Sequence, residues 1–209
     1  MKSVGDLRQS APDLLREYTD PSGHFAFGTY DSLYGRSHVR SIEPSDVLMA
    51  NLMSLRLGWA EVIPLFAAGD GKPQALRVAL DHALADLSDA PAFEDHDSAE
   101  ALERSVVSLA AANQATVGVR RWTPVTVSKV LHRHRPQIVP VCDSLVRDFY
   151  DIGKGKSWPS ELRAALFADV QQNKSWLVDL AADFRTPDRR PLTVLRAMDV
   201  MIWMSQRAG

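Results

Sequence analysis

The sequence predicts an all-α protein, and three observations carry that prediction. Apolar residues recur at the three- and four-residue spacing of a helix face along most of the 209 residues. The chain has no alternation of apolar strands with helices, which excludes a βαβ architecture. The segment 191–206 is apolar on nearly all sides, which is typical of a helix at the centre of a bundle. We therefore expect helices packed around one central helix.

The helices are predicted in chain order from these patterns. The first lies at 11–18, and the second, at 42–57, has Glu43 and Ser45 as candidate N-terminal caps. Between them, the aromatic and glycine-rich segment 24–35 alternates in a way that predicts a short β-hairpin or an ordered loop. The acidic segment 88–100 is predicted to be an exposed connection. The remaining helices are expected at 60–68, 74–87, 99–114 and 125–134, from near 141 onward, and at 160–173, 174–184 and 191–206.

We expect a single helical domain over residues 1–209, because this length fits one domain of medium size. Two lobes are conceivable within it. Residues 1–115 and 190–209 would pack together as one lobe, and residues 116–189 would form the other.

The composition restricts the class of protein. With 24 basic and 26 acidic residues the formal net charge is -2, so binding to nucleic acid requires a local basic surface. A single cysteine excludes an internal disulfide and four-cysteine zinc or iron–sulfur sites. Neither a signal-peptide core nor a run of about 18 apolar residues is present. We expect a soluble cytoplasmic protein without membrane association or cofactor, and a monomer, although the sequence leaves the oligomeric state open.

One region reverses the slightly acidic balance of the chain. Residues 104–141 contain no Asp or Glu, whereas the same region contains several basic side chains. Two interpretations stay open: a solvated helix face that pairs with the acidic helix before it, or a surface that faces phosphates. The basic residues are Arg104, Arg120, Arg121, Lys129, Arg133 and Arg135, with His132 and His134 among them.

Asp143 follows this region, close to the N-terminus of the helix expected from near 141. Backbone N–H groups at a helix N-terminus favour the ionised form of a carboxylate and are unpaired donors for phosphate oxygens. Aspartate is also a common N-terminal cap, which is a purely structural role. Taken alone, the position of Asp143 favours the cap.

The run VRRWTPVTVSKVLHRHRPQIVPVCDSLVRDF, at 119–149, resembles the signature of the helix-hairpin-helix DNA glycosylase superfamily. In that family a hairpin of the form LPGVGxxTAxxVL is followed, after a short gap, by VDxHVxR. Residues 124–131 take the place of the second hairpin helix, and residues 141–147 take the place of the aspartate motif. The rest of the chain, including 42–54 and 191–204, is similar to an uncharacterised actinobacterial domain family that shares this block.

The resemblance implies a glycosylase-like helical bundle with Asp143 as the catalytic aspartate and Arg147 one helical turn later. It implies that the hairpin region contacts DNA, through Arg120, Arg121, Thr123, Thr126, Lys129, Arg133 and Arg147. The hairpin glycines fall on Arg121 and Thr123, so the usual tight turn is expected to be missing, with Arg120 and Arg121 contacting phosphates instead.

Lyase activity is not expected from the resemblance. Members that also cleave the strand have a lysine where this chain has Val125, and Lys129 lies one helical turn further on. A solvated or phosphate-binding lysine is the favoured interpretation of Lys129, ahead of a Schiff-base role. The expected enzyme is therefore a monofunctional glycosylase.

A base pocket needs aromatic side chains for stacking and a wedge that fills the vacated stack. Trp122 is a candidate stacking or wedge residue, or a core tryptophan. Tyr30 and Tyr34, with Phe25 and Phe27 nearby, are candidates for the pocket wall, although aromatics at this spacing often pack a hairpin on helices. On the last helix, Asp199 and Trp203 share a face, and Asp199 either contacts the pocket or pairs with an arginine.

Two other chemistries have weak support. Cys142 has no oxyanion-hole signature beside it, and a lone buried cysteine is usually inert. His132 and His134 lie two residues apart and so point to different helix faces, which argues against a metal site.

The leading hypothesis is a monofunctional DNA glycosylase that removes a damaged or modified base from double-stranded DNA and leaves an abasic site. Alkylated or deaminated bases are options, as is a hypermodified or glucosylated cytosine of phage DNA, which would make the protein an antiphage defence factor. The alternative is a non-catalytic helix-hairpin-helix DNA-binding module in which Asp143 is only a cap. A third hypothesis treats the basic region as a protein-binding or RNA-binding surface.

Overall fold

The computed structural model describes residues 2–32 and 41–207, and within them the protein is all-α. The only β pairing in these ranges is one isolated bridge between Arg185 and Pro191. Short 3-10 helices lie at Val4–Leu7, Ala50–Met53 and Phe93–Asp95. The α-helices are α1 (Ala11–Thr19), α2 (Phe27–Tyr30), α3 (Pro44–Met49), α4 (Trp59–Phe66), α5 (Lys72–Asp86), α6 (Ala99–Ser105), α7 (Val107–Ala115), α8 (Pro124–His132), α9 (Ser144–Phe149), α10 (Trp158–Asp183) and α11 (Val194–Arg207).

The last helix, α11, lies at the centre of the bundle. It packs against α1, α9 and α10, and ten of its residues are buried. The expectation of a central C-terminal helix is met because apolar side chains cover almost its whole circumference, so every face gains by burial. The buried apolar residues form one cluster that draws on both of the lobes considered above. The division into lobes stays a prediction.

The β-hairpin prediction is wrong for the described part of 24–35. The chain forms turns there and then the single-turn helix α2, which begins at Phe27 and ends at Tyr30. Both rings are buried, and Phe27 packs edge-on against Tyr18 at 6.0 Å between ring centroids. A spacing of three residues puts the two rings on one side of a helical turn, and their burial outweighs the alternating pattern.

Several helix boundaries also differ from the prediction. The helix expected at 42–57 ends early, because Ser54 adopts a left-handed conformation with φ 64°. Asn51 closes the resulting turn, since its amide nitrogen donates to the Leu57 carbonyl and its amide oxygen accepts from the Leu57 N–H, both at 2.8 Å. The helix expected at 99–114 is two helices that meet at Val106. Those expected at 160–173 and 174–184 are one helix, α10.

Asp169, buried on α10, joins three parts of the chain. Its Oδ2 accepts hydrogen bonds from the Val4 N–H at 2.8 Å and from the Tyr150 hydroxyl at 2.7 Å. Its Oδ1 accepts from the hydroxyl of Ser3 at 2.5 Å and from the side-chain amide of Asn173 at 2.9 Å. The carboxylate thereby holds the N-terminal segment and the residue after α9 against α10.

Asp169→Ala should lower the free energy of unfolding by about 2–4 kcal/mol, because it leaves the buried Val4 N–H and Tyr150 hydroxyl without their acceptor. Urea unfolding measures the change. Asp179→Ala, at an exposed position of the same helix, is the matched control and should stay within about 0.5 kcal/mol. Equal losses for the two variants would contradict a joining role for Asp169.

Candidate functional site

A cavity of about 580 Å³ opens where α8, α11 and the start of α9 face the segments 24–26 and 52–55. Its wall combines carboxyl groups, basic groups and aromatic rings. Among the lining residues are Asp143, Asp199, Lys129, Arg196, Phe25 and Trp203. A concave site with a few converging polar groups is the usual form of a small-molecule or nucleobase pocket.

Asp143 is the N-terminal cap of α9 and also part of the cavity wall. Its Oδ1 accepts a hydrogen bond from the Val146 N–H at 3.1 Å, and its Oδ2 lies 3.5 Å from Lys129 Nζ. The side chain is 13% exposed. The two interpretations of Asp143 are therefore compatible: the cap fixes the orientation of the carboxylate, and the remaining exposed part faces the cavity.

Lys129 is buried on α8 instead of solvated on the surface. Its Nζ donates to the Met53 carbonyl at 2.8 Å as well as facing Asp143. On the same helix, the Ser128 hydroxyl accepts from the Cys142 N–H at 3.1 Å. These contacts hold the segment before α9, and with it the Asp143 carboxylate, in a fixed position relative to α8.

Arg196 and Asp199, three residues apart on α11, belong to a buried polar cluster. Arg196 donates to Asp31 through Nε at 2.8 Å and through Nη2 at 2.6 Å, in a two-pronged pair. Its Nη2 also donates to the Tyr18 hydroxyl at 2.9 Å, and its Nη1 donates to Asp199 Oδ2. The guanidinium thus has a partner on each side, which a buried charge requires.

Burial raises the pKa of Asp199 to about 7, against the opposing attraction of Arg196. The negative charge of Asp143 raises this pKa further, and Lys129 opposes the rise. A carboxyl group with such a pKa exchanges a proton near neutral pH, which is the property that acid–base chemistry needs.

Three aromatic rings form one side of the cavity. Tyr18 and Phe25 stack at 5.0 Å between ring centroids, and Trp203 packs edge-on against both, at 5.9 and 5.8 Å. The guanidinium of Arg207 lies over the Trp203 ring at 4.5 Å. The aromatic wall is thus formed by α1, the turn after it and the last two turns of α11.

The hairpin between α7 and α8 retains a left-handed turn, contrary to the expectation that it would be missing. Arg121, which occupies a glycine position of the resembling motif, has φ 57°. Thr123 caps α8 and accepts from the Thr126 N–H at 3.4 Å, while the Thr126 hydroxyl donates to the Arg121 carbonyl at 3.1 Å. Two candidate DNA contacts, Thr123 and Thr126, are therefore engaged in building the turn.

Arg120 and Arg121 have exposed side chains beside this turn. Both lie near the buried carboxylate of Glu61, with Arg120 Nε at 3.0 Å and Arg121 Nε at 3.9 Å from Oε1. Arg121 also donates to the Arg56 carbonyl at 2.9 Å. This hydrogen bond connects the hairpin to the segment that contains the cavity residue Met53.

The other two predicted DNA-binding arginines are buried. Arg133 lies inside the protein, where its Nη1 donates to Asp46 Oδ1 at 2.5 Å, so it is not the surface cation that the basic region suggested. Arg147 lines the cavity, pairs with Asp148 at 3.3 Å and lies over the Trp158 ring. The need to neutralise a buried guanidinium explains the placement of Arg133 beside a carboxylate.

Of the aromatic residues proposed for the pocket, Phe25 lines the cavity, whereas Trp122, Phe27 and Tyr30 do not. Trp122 is buried in the core, with its indole N–H donating to the Glu61 carbonyl at 3.3 Å, so it is not placed to stack on a base or to wedge into DNA. Tyr30 is fully buried, and its hydroxyl donates to the Lys129 carbonyl at 2.8 Å. Tyr34 lies outside the described residues.

Sequence reasoning missed three residues of the wall, namely Tyr18, Arg196 and Arg207. One signal was available for Arg196, which lies three residues before Asp199 in a largely apolar helix. Two opposite charges at this spacing can pair, which offsets the desolvation penalty of burying both. Nothing local distinguishes Tyr18 from an ordinary core tyrosine of an amphipathic helix.

The cysteine and the histidines have the properties of core residues. Burial raises the pKa of Cys142 to about 12, so the thiol holds its proton. Burial lowers the pKa of His132 to about 4, and its Nδ1 contacts the Val139 carbonyl at 2.6 Å. Within residues 2–32 and 41–207 no three His, Cys, Asp or Glu side chains come together as a metal site.

The comparisons with known proteins give one family. A model described as a family of unknown function, DUF6308, matches residues 11–206, and the chain belongs to this family. Neither the curated proteins nor the solved structures gave a match. None of the helices in the described part of the chain combines the length and the apolar character needed to cross a membrane.

Asp199 gives the stability of the protein a pH dependence whose sign follows from its raised pKa. An unfolded aspartate titrates near about 3.9, so between there and about pH 7 the folded protein keeps a proton that the unfolded chain has lost. The contribution of Asp199 is therefore complete at low pH and lost as the pH rises through 7. We expect the free energy of unfolding of the wild type, minus that of Asp199→Asn, to fall across this window.

Urea titrations between pH 4 and pH 8 measure this difference. The matched control is Asp179→Asn, at an exposed position on α10, for which the difference should stay constant. A difference that rises with pH for Asp199→Asn would show that the pKa of Asp199 is lowered instead.

Proposed function

We propose that the protein is a monofunctional DNA glycosylase that hydrolyses the N-glycosidic bond of a damaged or modified base in double-stranded DNA and leaves an abasic site. One observation carries the proposal: the carboxylate of Asp143, which stands at the aspartate position of the resembling motif, lines a cavity of about 580 Å³. The cap on α9 and the contact with Lys129 hold this carboxylate in place.

The chemistry of base removal matches such a carboxylate. As the base leaves, positive charge develops on the deoxyribose, and a fixed negative charge beneath the sugar lowers the energy of that state. Asp143 also has an oxygen that can orient or deprotonate the attacking water. Because its position is fixed before the reaction, little reorganisation is needed when the charge develops.

The cavity suits a nucleotide that has been turned out of the duplex. Phe25 and Trp203 supply aromatic surface for stacking, and polar side chains line the same cavity. Its volume leaves room for a base that carries a bulky substituent, such as a glucosylated cytosine of phage DNA, and removal of such a base would serve antiphage defence. An alkylated or deaminated base would also fit.

The exposed hairpin arginines provide the side from which DNA approaches. Arg120 and Arg121 project beside the turn, and Arg121 contacts Arg56, three residues after the cavity residue Met53. Phosphates bound by these arginines would lie beside the segment that contains Arg56 and the cavity residue Met53. Lyase activity is not part of the proposal, because Val125 occupies the lysine position and Lys129 Nζ is engaged with Met53 and Asp143.

The alternative is a non-catalytic helix-hairpin-helix DNA-binding module. One observation favours it: Asp143 caps α9, and that role alone accounts for an aspartate at this position. Under this alternative the hairpin arginines bind DNA, and the cavity has no part in chemistry.

A transition-state analogue separates the two functions without knowledge of the base. In a duplex with a cationic pyrrolidine in place of one deoxyribose, the positive ring imitates the developing charge. We expect the wild type to bind this duplex at least about 100-fold more tightly than one with a neutral tetrahydrofuran. Asp143→Asn should lose this preference yet remain folded, because asparagine also caps helices.

Asp179→Asn, distant in sequence and exposed on α10, is the control and should keep the preference. Base release is scored in parallel on oligonucleotides with uracil, alkylated purines or mismatches, and on phage DNA with modified cytosines. Equal binding of the two duplexes by the wild type, with no base released, would favour the non-catalytic module.

Arg121→Gly tests the DNA-facing side, because glycine keeps the left-handed turn while the cation is removed. Loss of one phosphate contact should weaken duplex binding for all sequences. It should also reduce the slope of log K against log salt by about 0.9. Fluorescence anisotropy over a range of salt concentrations measures the slope. Arg104→Ala, at an exposed position on α6, is the control and should leave the slope as it is in the wild type. An unchanged slope for Arg121→Gly would show that DNA does not bind at this turn.

A further inference from the structure

The aromatic rings of the cavity already have cations over their faces. The guanidinium of Arg207 lies 4.5 Å from the Trp203 centroid and 5.6 Å from that of Phe25. Arg196 lies 5.3 Å from the centroid of Tyr18. A cationic ligand is commonly held over such faces. In this cavity the protein itself supplies those cations, and their charge repels a positively charged base but not a neutral one.

The charges of the wall also disfavour a cation. Arg196 is matched by Asp31, with which it makes a two-pronged pair. The remaining lysine and arginine side chains of the wall are those of Lys129, Arg147 and Arg207, and His24 also lines the cavity. Against them stands the carboxylate of Asp143, because Asp148, the partner of Arg147, has a largely exposed side chain whose charge water screens.

Asp199 is the second carboxyl group of the cavity and is neutral over part of the physiological range. Its pKa is raised to about 7 by burial. Its Oδ2 accepts from Arg196, and its Oδ1 has no hydrogen-bond partner among the described residues. The titratable and charged groups around it come from α1, α2, α8, the segment before α9, and α11; they are Tyr18, Tyr30, Asp31, Lys129, Cys142, Asp143 and Arg196.

We propose, on the basis of the function proposed above, that the excised base is neutral rather than cationic and that Asp199 is the acid that protonates it as it leaves. A base that already has a positive charge leaves without a proton. A neutral base needs one, because otherwise it would depart as an anion. Asp199 and Asp143 thus divide the reaction between them, with Asp199 at the base and Asp143 at the sugar.

The step balances with water as the only co-reactant. The C1′–N bond breaks, its electron pair goes to the base, and the proton of Asp199 passes to the base. Water then forms the C1′–O bond, and its proton goes to the carboxylate of Asp143. Transfer of that proton back to Asp199 through solvent restores both groups, and the products are the free base and the abasic sugar.

The test compares base release from two kinds of duplex across pH 5–9. One contains 7-methylguanine, a cationic base, and the others contain the neutral bases uracil, hypoxanthine or glucosylated hydroxymethylcytosine. We expect release of at least one neutral base, faster than release of 7-methylguanine, with a rate that falls above pH 7 as Asp199 loses its proton. Asp199→Asn should reduce the ratio of neutral to cationic release by about 100-fold or more and remove the fall above pH 7.

Arg207→Ala supplies a second variant that leaves the buried cluster intact. It uncovers the faces of Phe25 and Trp203 and should raise the release of 7-methylguanine relative to the neutral bases. Asp179→Asn should leave the ratio and the pH profile as they are in the wild type. Circular dichroism and urea unfolding establish that each variant is folded.

The possible results distinguish failure of this inference from failure of the proposed glycosylase function. Release that depends on Asp143 but favours 7-methylguanine over every neutral base would overturn the inference alone. A ratio and pH profile unchanged in Asp199→Asn would likewise refute the acid role and leave the glycosylase standing. If the wild type releases no base and does not prefer the pyrrolidine duplex, both proposals are wrong.

Discussion

The buried guanidinium of Arg196 is the interaction on which the candidate site depends. It joins Asp31, which follows α2, to Tyr18 on α1 and to Asp199 on its own helix. A buried charge is tolerated only when its partners satisfy it on every side, so these elements are held in one arrangement. That arrangement forms part of the cavity wall, and it also places a carboxyl group there with little access to water.

A second set of polar contacts fixes another part of the cavity wall. Lys129 connects the Met53 carbonyl to the Asp143 carboxylate, and Ser128 holds the Cys142 N–H just before it. The two sets are close enough to interact, because the negative charge of Asp143 raises the pKa of Asp199. The cavity therefore has two carboxyl groups in unlike surroundings, one with a cation and an amide beside it and one desolvated. Such a difference is what allows two chemically identical groups to do different work.

The sequence patterns correctly predicted those features that depend on residues close together in the chain. The central position of α11, the extent of α1 and the cap at Asp143 follow from apolar spacing and from the preference of aspartate for helix starts. The burial of several basic side chains of residues 104–141 could not be predicted from the sequence. Arg133 meets Asp46, which lies 87 residues earlier in the chain, and no local pattern indicates that pairing.

The site itself was predictable in part for the same reason. The aspartate motif identified Asp143, and the polar break in the last helix identified Asp199 as unusual. Phe25 was among the aromatic candidates and lines the cavity. The placement of the other rings was not accessible, because Trp122 and Tyr18 are both aromatic residues next to or within short helices. Only the packing decides that Trp122 is covered by α4 and that Tyr18 faces the cavity.

The side chain of Arg207 on α11 is exposed, and its guanidinium covers two of the aromatic rings that line the cavity. The side chain of an exposed residue changes rotamer within picoseconds to nanoseconds, with no change in the backbone. Arg196, three turns earlier, is anchored by the buried cluster. Rotation of the exposed Arg207 side chain can therefore uncover the rings of Phe25 and Trp203 without disturbing that cluster, on a timescale far shorter than that of unfolding.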